Sequence, residues 1–141
     1  MKKYLLVSLL VMFSVFTQAT IAGDYKRLSS VENAQAYIIS PKNGETVTTT
    51  FKVVFGLSGM GVSPAGIEKP FTGHHHLLID GKTPDLLKPL GSNVKHFGGG
   101  QTEAFITLPK GKHTLSLILG DYLHRPHSPA VVSEEITIQV K

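Results

Sequence analysis

Apolar residues recur at every second position over several short stretches of this chain. Phe51, Val53 and Phe55 fall on one side of residues 46–57, with Lys52 and Val54 on the other. Leu115, Leu117 and Leu119 repeat the pattern in residues 113–119, and Ile136, Ile138 and Val140 repeat it in residues 131–140. Successive side chains of a strand point to opposite faces, so this alternation predicts half-buried strands. Three further runs, residues 35–40, 74–80 and 102–108, are rich in apolar residues and bounded by turn formers: Pro41-Lys42-Asn43-Gly44, Gly81 and Pro109-Lys110-Gly111-Lys112. No segment carries a 3.6-residue apolar period, and β-branched and aromatic residues dominate the runs. Six short strands separated by turns predict an all-β fold, an immunoglobulin-like antiparallel β-sandwich, although a small barrel gives a similar pattern. Residues 81–100 hold Pro84, Pro89 and several glycines, and the pattern places no strand there.

The N-terminus reads differently. Lys2-Lys3 precede an apolar run over residues 4–16, and small residues follow at the spacing of a signal-peptidase site, Thr17 and Ala19 or Thr20 and Ala22. The run is shorter than the roughly 20 residues a membrane-spanning helix needs. Residues 1–22 are therefore expected to be a cleaved signal peptide, residues 23–33 a flexible leader, and residues 34–141 the sandwich domain, periplasmic or secreted. Without Lys2 and Lys3 the formal charge drops from +4 to about +2. The remaining basic residues are scattered, which argues against a nucleic-acid partner. The chain has no cysteine, so an exported domain of this size must rely on packing, or partly on a bound ligand or metal.

Seven histidines are many for 141 residues, and their placement is the most informative feature. They fall at His74-His75-His76, His96, His113, His124 and His127. In an immunoglobulin-like topology, the connection before residues 74–80, the one before 102–108 and the one after 113–119 emerge at the same end. Six histidines then converge there, with His113 at the opposite end. Neutral imidazole is the commonest protein ligand for zinc and copper. Strand alternation sends His74 and His76 to one face and His75 to the other, with Leu77 and Ile79. The expected ligands are His74, His76, His96, His124 and His127 for a copper or zinc ion. Met60, in the connection at the same end, is a further candidate that would favour copper(I). Asp121 and Glu103 are candidates to orient an imidazole.

Competing chemistries have less support. Residues 97–101, Phe-Gly-Gly-Gly-Gln, lack the Lys-Ser/Thr and helix of a phosphate loop. No serine sits in a nucleophile elbow. The expectation is a non-enzymatic metal-binding protein. The alternatives are a cell-envelope interaction module without metal and, less favoured, a metal-dependent hydrolase.

Three segments, Gly73-His74-His75-His76-Leu77-Leu78-Ile79-Asp80, His96-Phe97-Gly98-Gly99-Gly100-Gln101-Thr102-Glu103, and Leu119-Gly120-Asp121 with His124-x-Pro126-His127, resemble a family of small exported bacterial proteins classed as a domain of unknown function. The resemblance spans residues 36–140. It departs at Leu123 and Ala130, neither of which is a candidate ligand. It implies that the histidine segments belong to one shared site and brings no activity with it.

Overall fold

The computed structural model describes residues 26–141. The expected signal peptide, with its alternative cleavage points at Ala19 and Ala22, lies outside the described residues. Among the described residues there are nine strands and no helix: β1 (Gln35–Ser40), β2 (Thr46–Val47), β3 (Thr50–Ser58), β4 (Gly61–Val62), β5 (Thr72–Ile79), β6 (Lys95–His96), β7 (Glu103–Thr107), β8 (Gly111–Gly120) and β9 (Ile136–Val140). No helix in this region is long and apolar enough to cross a membrane.

The strands form two sheets. The smaller has the order β1-β3-β7, antiparallel throughout. The larger runs β2-β9-β8-β5-β4, with β6 pairing β5 as well. Its centre is the antiparallel β5–β8–β9 block, and β2 and β4 join it as short parallel strands. The protein is an all-β, immunoglobulin-like sandwich.

Alternation decides which side chains fill the space between the sheets. Phe51, Val53 and Phe55 of β3 meet Leu77 of β5, Leu115, Leu117 and Leu119 of β8, and Ile138 and Val140 of β9, all buried. Burying each such side chain stabilises the fold by about 1.5–3 kcal/mol, which lets a chain without disulfides hold together. The opposite face of the larger sheet is also covered. Leu78 of β5 and Ile118 of β8 pack there against Leu90 and Val94, with Leu86 and Val132 alongside. The irregular segment between β5 and β6 therefore forms a lid over the outer face, and β5 is buried on both sides.

Several elements differ from the pattern-based expectation. The 46–57 run is divided into β2 and β3. The 131–140 run begins its strand only at Ile136; Val131 fills the inter-sheet core, while Val132 bridges Ile118 and packs on the outer cluster. Two-residue strands β4 and β6 are too short to leave a periodic signal. Within the expected leader, Ser29 bridges Ser128, and Arg27 donates to the Leu86 and His127 carbonyls and to Ser128 Oγ. This stretch is thus held against the loop after β8.

Candidate metal centre

Strand β5 supplies the first two imidazoles. His74 and His76 share its outer face and are fully buried, with ring centroids 4.5 Å apart. Their cross-strand neighbours on β8 are Gly120 and Ile118. A Cβ added at Gly120 would lie 2.4 Å from His76 Cε1, so only glycine there leaves room for the His76 ring. His75, on the opposite face, tilts against Phe55 in the inter-sheet core at a centroid distance of 5.2 Å. Neither of its ring nitrogens has a hydrogen-bond partner.

The third imidazole comes from the loop after β8. Asp121 is fully buried; its Oδ1 accepts from the backbone N–H groups of Leu123 (2.8 Å) and Arg125 (3.0 Å), and its Oδ2 accepts from Arg125 Nε (2.8 Å). The Arg125 guanidinium pairs with the same oxygen through Nη2 at 2.8 Å. The Asp121 carbonyl accepts from the His124 N–H (2.9 Å), and the His124 carbonyl accepts from the Leu90 N–H (2.8 Å). These bonds hold His124 at φ 61°, a left-handed conformation that costs a non-glycine residue about 1–3 kcal/mol. Its ring is thereby directed toward β5.

His124 Nδ1 lies 3.0 Å from His74 Nε2 and 3.2 Å from His76 Nε2. A fourth imidazole approaches from β6, whose register pairs His96 with His76. His96 Nε2 donates to the Gly91 carbonyl at 2.8 Å, and its Nδ1 stands 3.0 Å from His124 Nδ1. A neutral imidazole carries one proton, so the bond to Gly91 leaves His96 Nδ1 as a bare lone pair.

Proton accounting then meets a conflict. His124 Nδ1 has either one lone pair or one N–H, yet three ring nitrogens converge on it. Hydrogen bonding cannot satisfy all of them. A cation among them accepts several lone pairs at once. Nitrogens bound tetrahedrally at about 2.0–2.1 Å lie about 3.3 Å apart, close to the separations found. The nitrogen ligand atoms of His74, His76 and His124 all lie within 4.8 Å of one another, so this cluster is able to hold a metal ion.

The electrostatics agree with ligand duty. Burial, reinforced by His124, lowers the His74 pKa to about 4; burial, reinforced by His74, lowers that of His76 to about 3. Burial and then His96 lower the His124 pKa as well. These rings are neutral near pH 7, the form that binds metals.

Not every expected residue joins the cluster. His127 is buried beside Gly73, where its Nε2 donates to the Thr72 carbonyl at 3.1 Å; that bond turns it to the backbone and away from the ring contacts of His124. Met60 packs on the inter-sheet core, across β5 from the site, because the loop between β3 and β4 folds its apolar side chain inward. Glu103 is exposed on the smaller sheet and pairs with Lys52 at 2.9 Å. The Asp121 carboxylate hydrogen-bonds to no imidazole; its bonds go to the loop backbone and Arg125. The cluster also occupies the outer face of the larger sheet, under the 81–94 lid, and not the tips of the end loops. Gly120, the Gly91 carbonyl and Arg125 lie outside the expected set of site groups. The Gly120-Asp121 pair directly before a histidine-bearing loop is the one signal that could have exposed the first.

A family model described as a domain of unknown function, DUF4399, matches residues 53–141. The chain belongs to this family. The DUF4399 match extends from β3 to the C-terminus and contains all four clustered histidines. No curated protein matches significantly. Among solved structures, one from "Structures of Clostridium thermocellum CbhA fibronectin(III)-like modules" is similar over 75% of this chain and 93% of that one, at 13% identity and a TM-score of 0.36.

Proposed function

We propose that this DUF4399 protein is exported and binds copper or zinc as a divalent ion through His74, His76 and His124, with His96 as a fourth ligand. The carrying observation is the convergence of three imidazole nitrogens on His124 Nδ1 at 3.0–3.2 Å, a geometry that protons alone leave unsatisfied. An all-imidazole set suits zinc and copper(II). With Met60 in the core, the case for copper(I) loses its soft ligand. Export rests on the N-terminal pattern of Lys2-Lys3, the short apolar run and the small residues ending at Ala19 or Ala22. The role is binding, with no reaction assigned to it.

The test is a calorimetric titration of the stripped mature domain with Zn²⁺ and Cu²⁺, followed by elemental analysis. Failure of both ions to bind tighter than about 10 μM, a free energy of about 7 kcal/mol, overturns the reading. His76→Ala and His124→Ala are each expected to weaken binding by about 100-fold or more, since each removes a direct ligand. His113→Ala should leave it unchanged.

A further inference from the structure

The four imidazoles are not equivalent. His74 and His76 are fully buried on a strand flanked by β8 on one side and by β4 and β6 on the other. His124 is half-buried and held by the Asp121–Arg125 loop and by Leu90. His96 is exposed. Strand β6, which carries it, is two residues long, and apart from the sheet pairing its ring is held by one bond, to the Gly91 carbonyl in the irregular segment that precedes it. Three ligands are thus fixed from behind while the fourth faces solvent on a short edge.

Building on the proposed metal reading, we infer that His96 is the exchangeable ligand: the ion is loaded and released on the His96 side, and the protein passes its metal on rather than keeping it as a structural part. Release begins when His96 Nδ1 leaves the ion and a nitrogen or sulfur donor from outside takes the vacated position. No net proton or electron transfer is required. Three imidazoles then hold the ion until the incoming ligand supplies further donors. The main apolar core lies on the other face of β5, away from the ion. An acceptor must therefore approach the β6 edge, and its chemistry is that of a second imidazole- or thiolate-bearing metal site.

Stopped-flow transfer of Zn²⁺ or Cu²⁺ from the loaded mature protein to a chromogenic pyridylazo chelator separates the possibilities. For His96→Ala, affinity is expected to fall roughly tenfold and release to accelerate roughly tenfold, since most of an affinity change appears in the off-rate. His124→Ala should lose tight binding altogether. Thermal melts of the metal-free variants check folding, and His96→Ala should melt as wild type does because its side chain is exposed. Release from His96→Ala at the wild-type rate overturns the inference by showing that His96 does not hold the ion. Loss of binding as complete as in His124→Ala overturns it too, by making all four ligands equally essential. Wild-type protein that takes up neither ion overturns the metal reading itself, a result distinct from both.

Discussion

The two ends of strand β8 treat histidine in opposite ways. Near its start, His113 has both ring nitrogens occupied: Nδ1 by Asp80 and Nε2 by the Pro109 carbonyl. Beyond its finish, His124 faces three other imidazoles, and Nδ1 of both His74 and His76 is buried without a partner. The first arrangement is complete once His113 carries both protons, each with an oxygen to accept it. The second has converging lone pairs and too few protons between them. The number of histidines alone therefore says little; what marks a candidate ligand is a ring nitrogen that converges on others, which neither His113 nor His75, packed alone against Phe55 in the core, offers.

The carboxylates of the two regions offer the strongest way to break this contrast. Asp121 is fully buried and accepts from two backbone N–H groups and Arg125, whereas the Asp80 side chain is 46% exposed. Asp121→Ala should destabilise the metal-free domain by about 3–5 kcal/mol in urea melts, since it strands a mostly buried guanidinium. It should also weaken metal binding by releasing His124. Asp80→Ala should cost less than about 1 kcal/mol and leave metal binding intact. Equal effects from the two would remove the distinction.

Gly120→Ala tests the site's shape. The new methyl has to displace the His76 ring, a clash of the overpacking kind that costs about 1–3 kcal/mol. Calorimetry should show weaker metal binding alongside the lower urea midpoint. Unchanged affinity would mean that the His76 ring position does not matter for the ion.

In pH dependence the two regions should carry opposite signs. Burial keeps His74 and His75 neutral down to about pH 4, and His76 to about 3. Below the unfolded value of about 6.5 the unfolded chain binds protons that the native cluster refuses. With chelator present, the cluster's contribution should therefore fall as pH is lowered from about 6.5 toward 4. His113 is shifted the other way, its pKa raised by Asp80 and then by the Pro109 carbonyl. Its contribution is complete below about 6.5 and is lost as pH rises through the raised value. Urea melts of wild type and Asp80→Asn across this range should show that the variant loses only the alkaline-side slope.

Much of this arrangement was legible in the alternation of side chains. The period of two put Phe51, Val53 and Phe55 on one face and separated His75 from His74 and His76, while the turn formers after Ser40 marked residues 35–40 as the strand found. Sandwich topology brought His96 and His124 to the same region. It could not distinguish His124 from His127, because a loop's hydrogen bonds decide where its side chains turn: Asp121 sets one and the Thr72 carbonyl takes the other. Nor could it show that residues 81–94 cover the sheet, since Leu86, Leu90 and Val94 follow neither strand nor helix spacing. Met60 was only a candidate for a related reason: a thioether in a loop serves as an apolar filler, its place here, as readily as a ligand.

Gly73 and Gly120 give the site a requirement that no donor atom reveals. Gly120 lies opposite His74 across β5 and β8, next to Gly73 in register, and a Cβ on Gly73 would come within 2.4 Å of the Gly120 carbonyl oxygen, as one on Gly120 would of the His76 ring. The room for the His76 ring, and for the close passage of β5 along the Gly120 carbonyl, is thus made by hydrogen atoms where other residues carry carbon. A transplant of the four histidines onto another sandwich would fail without these two gaps, and one added methyl at either position could disable a protein whose every ligand was intact.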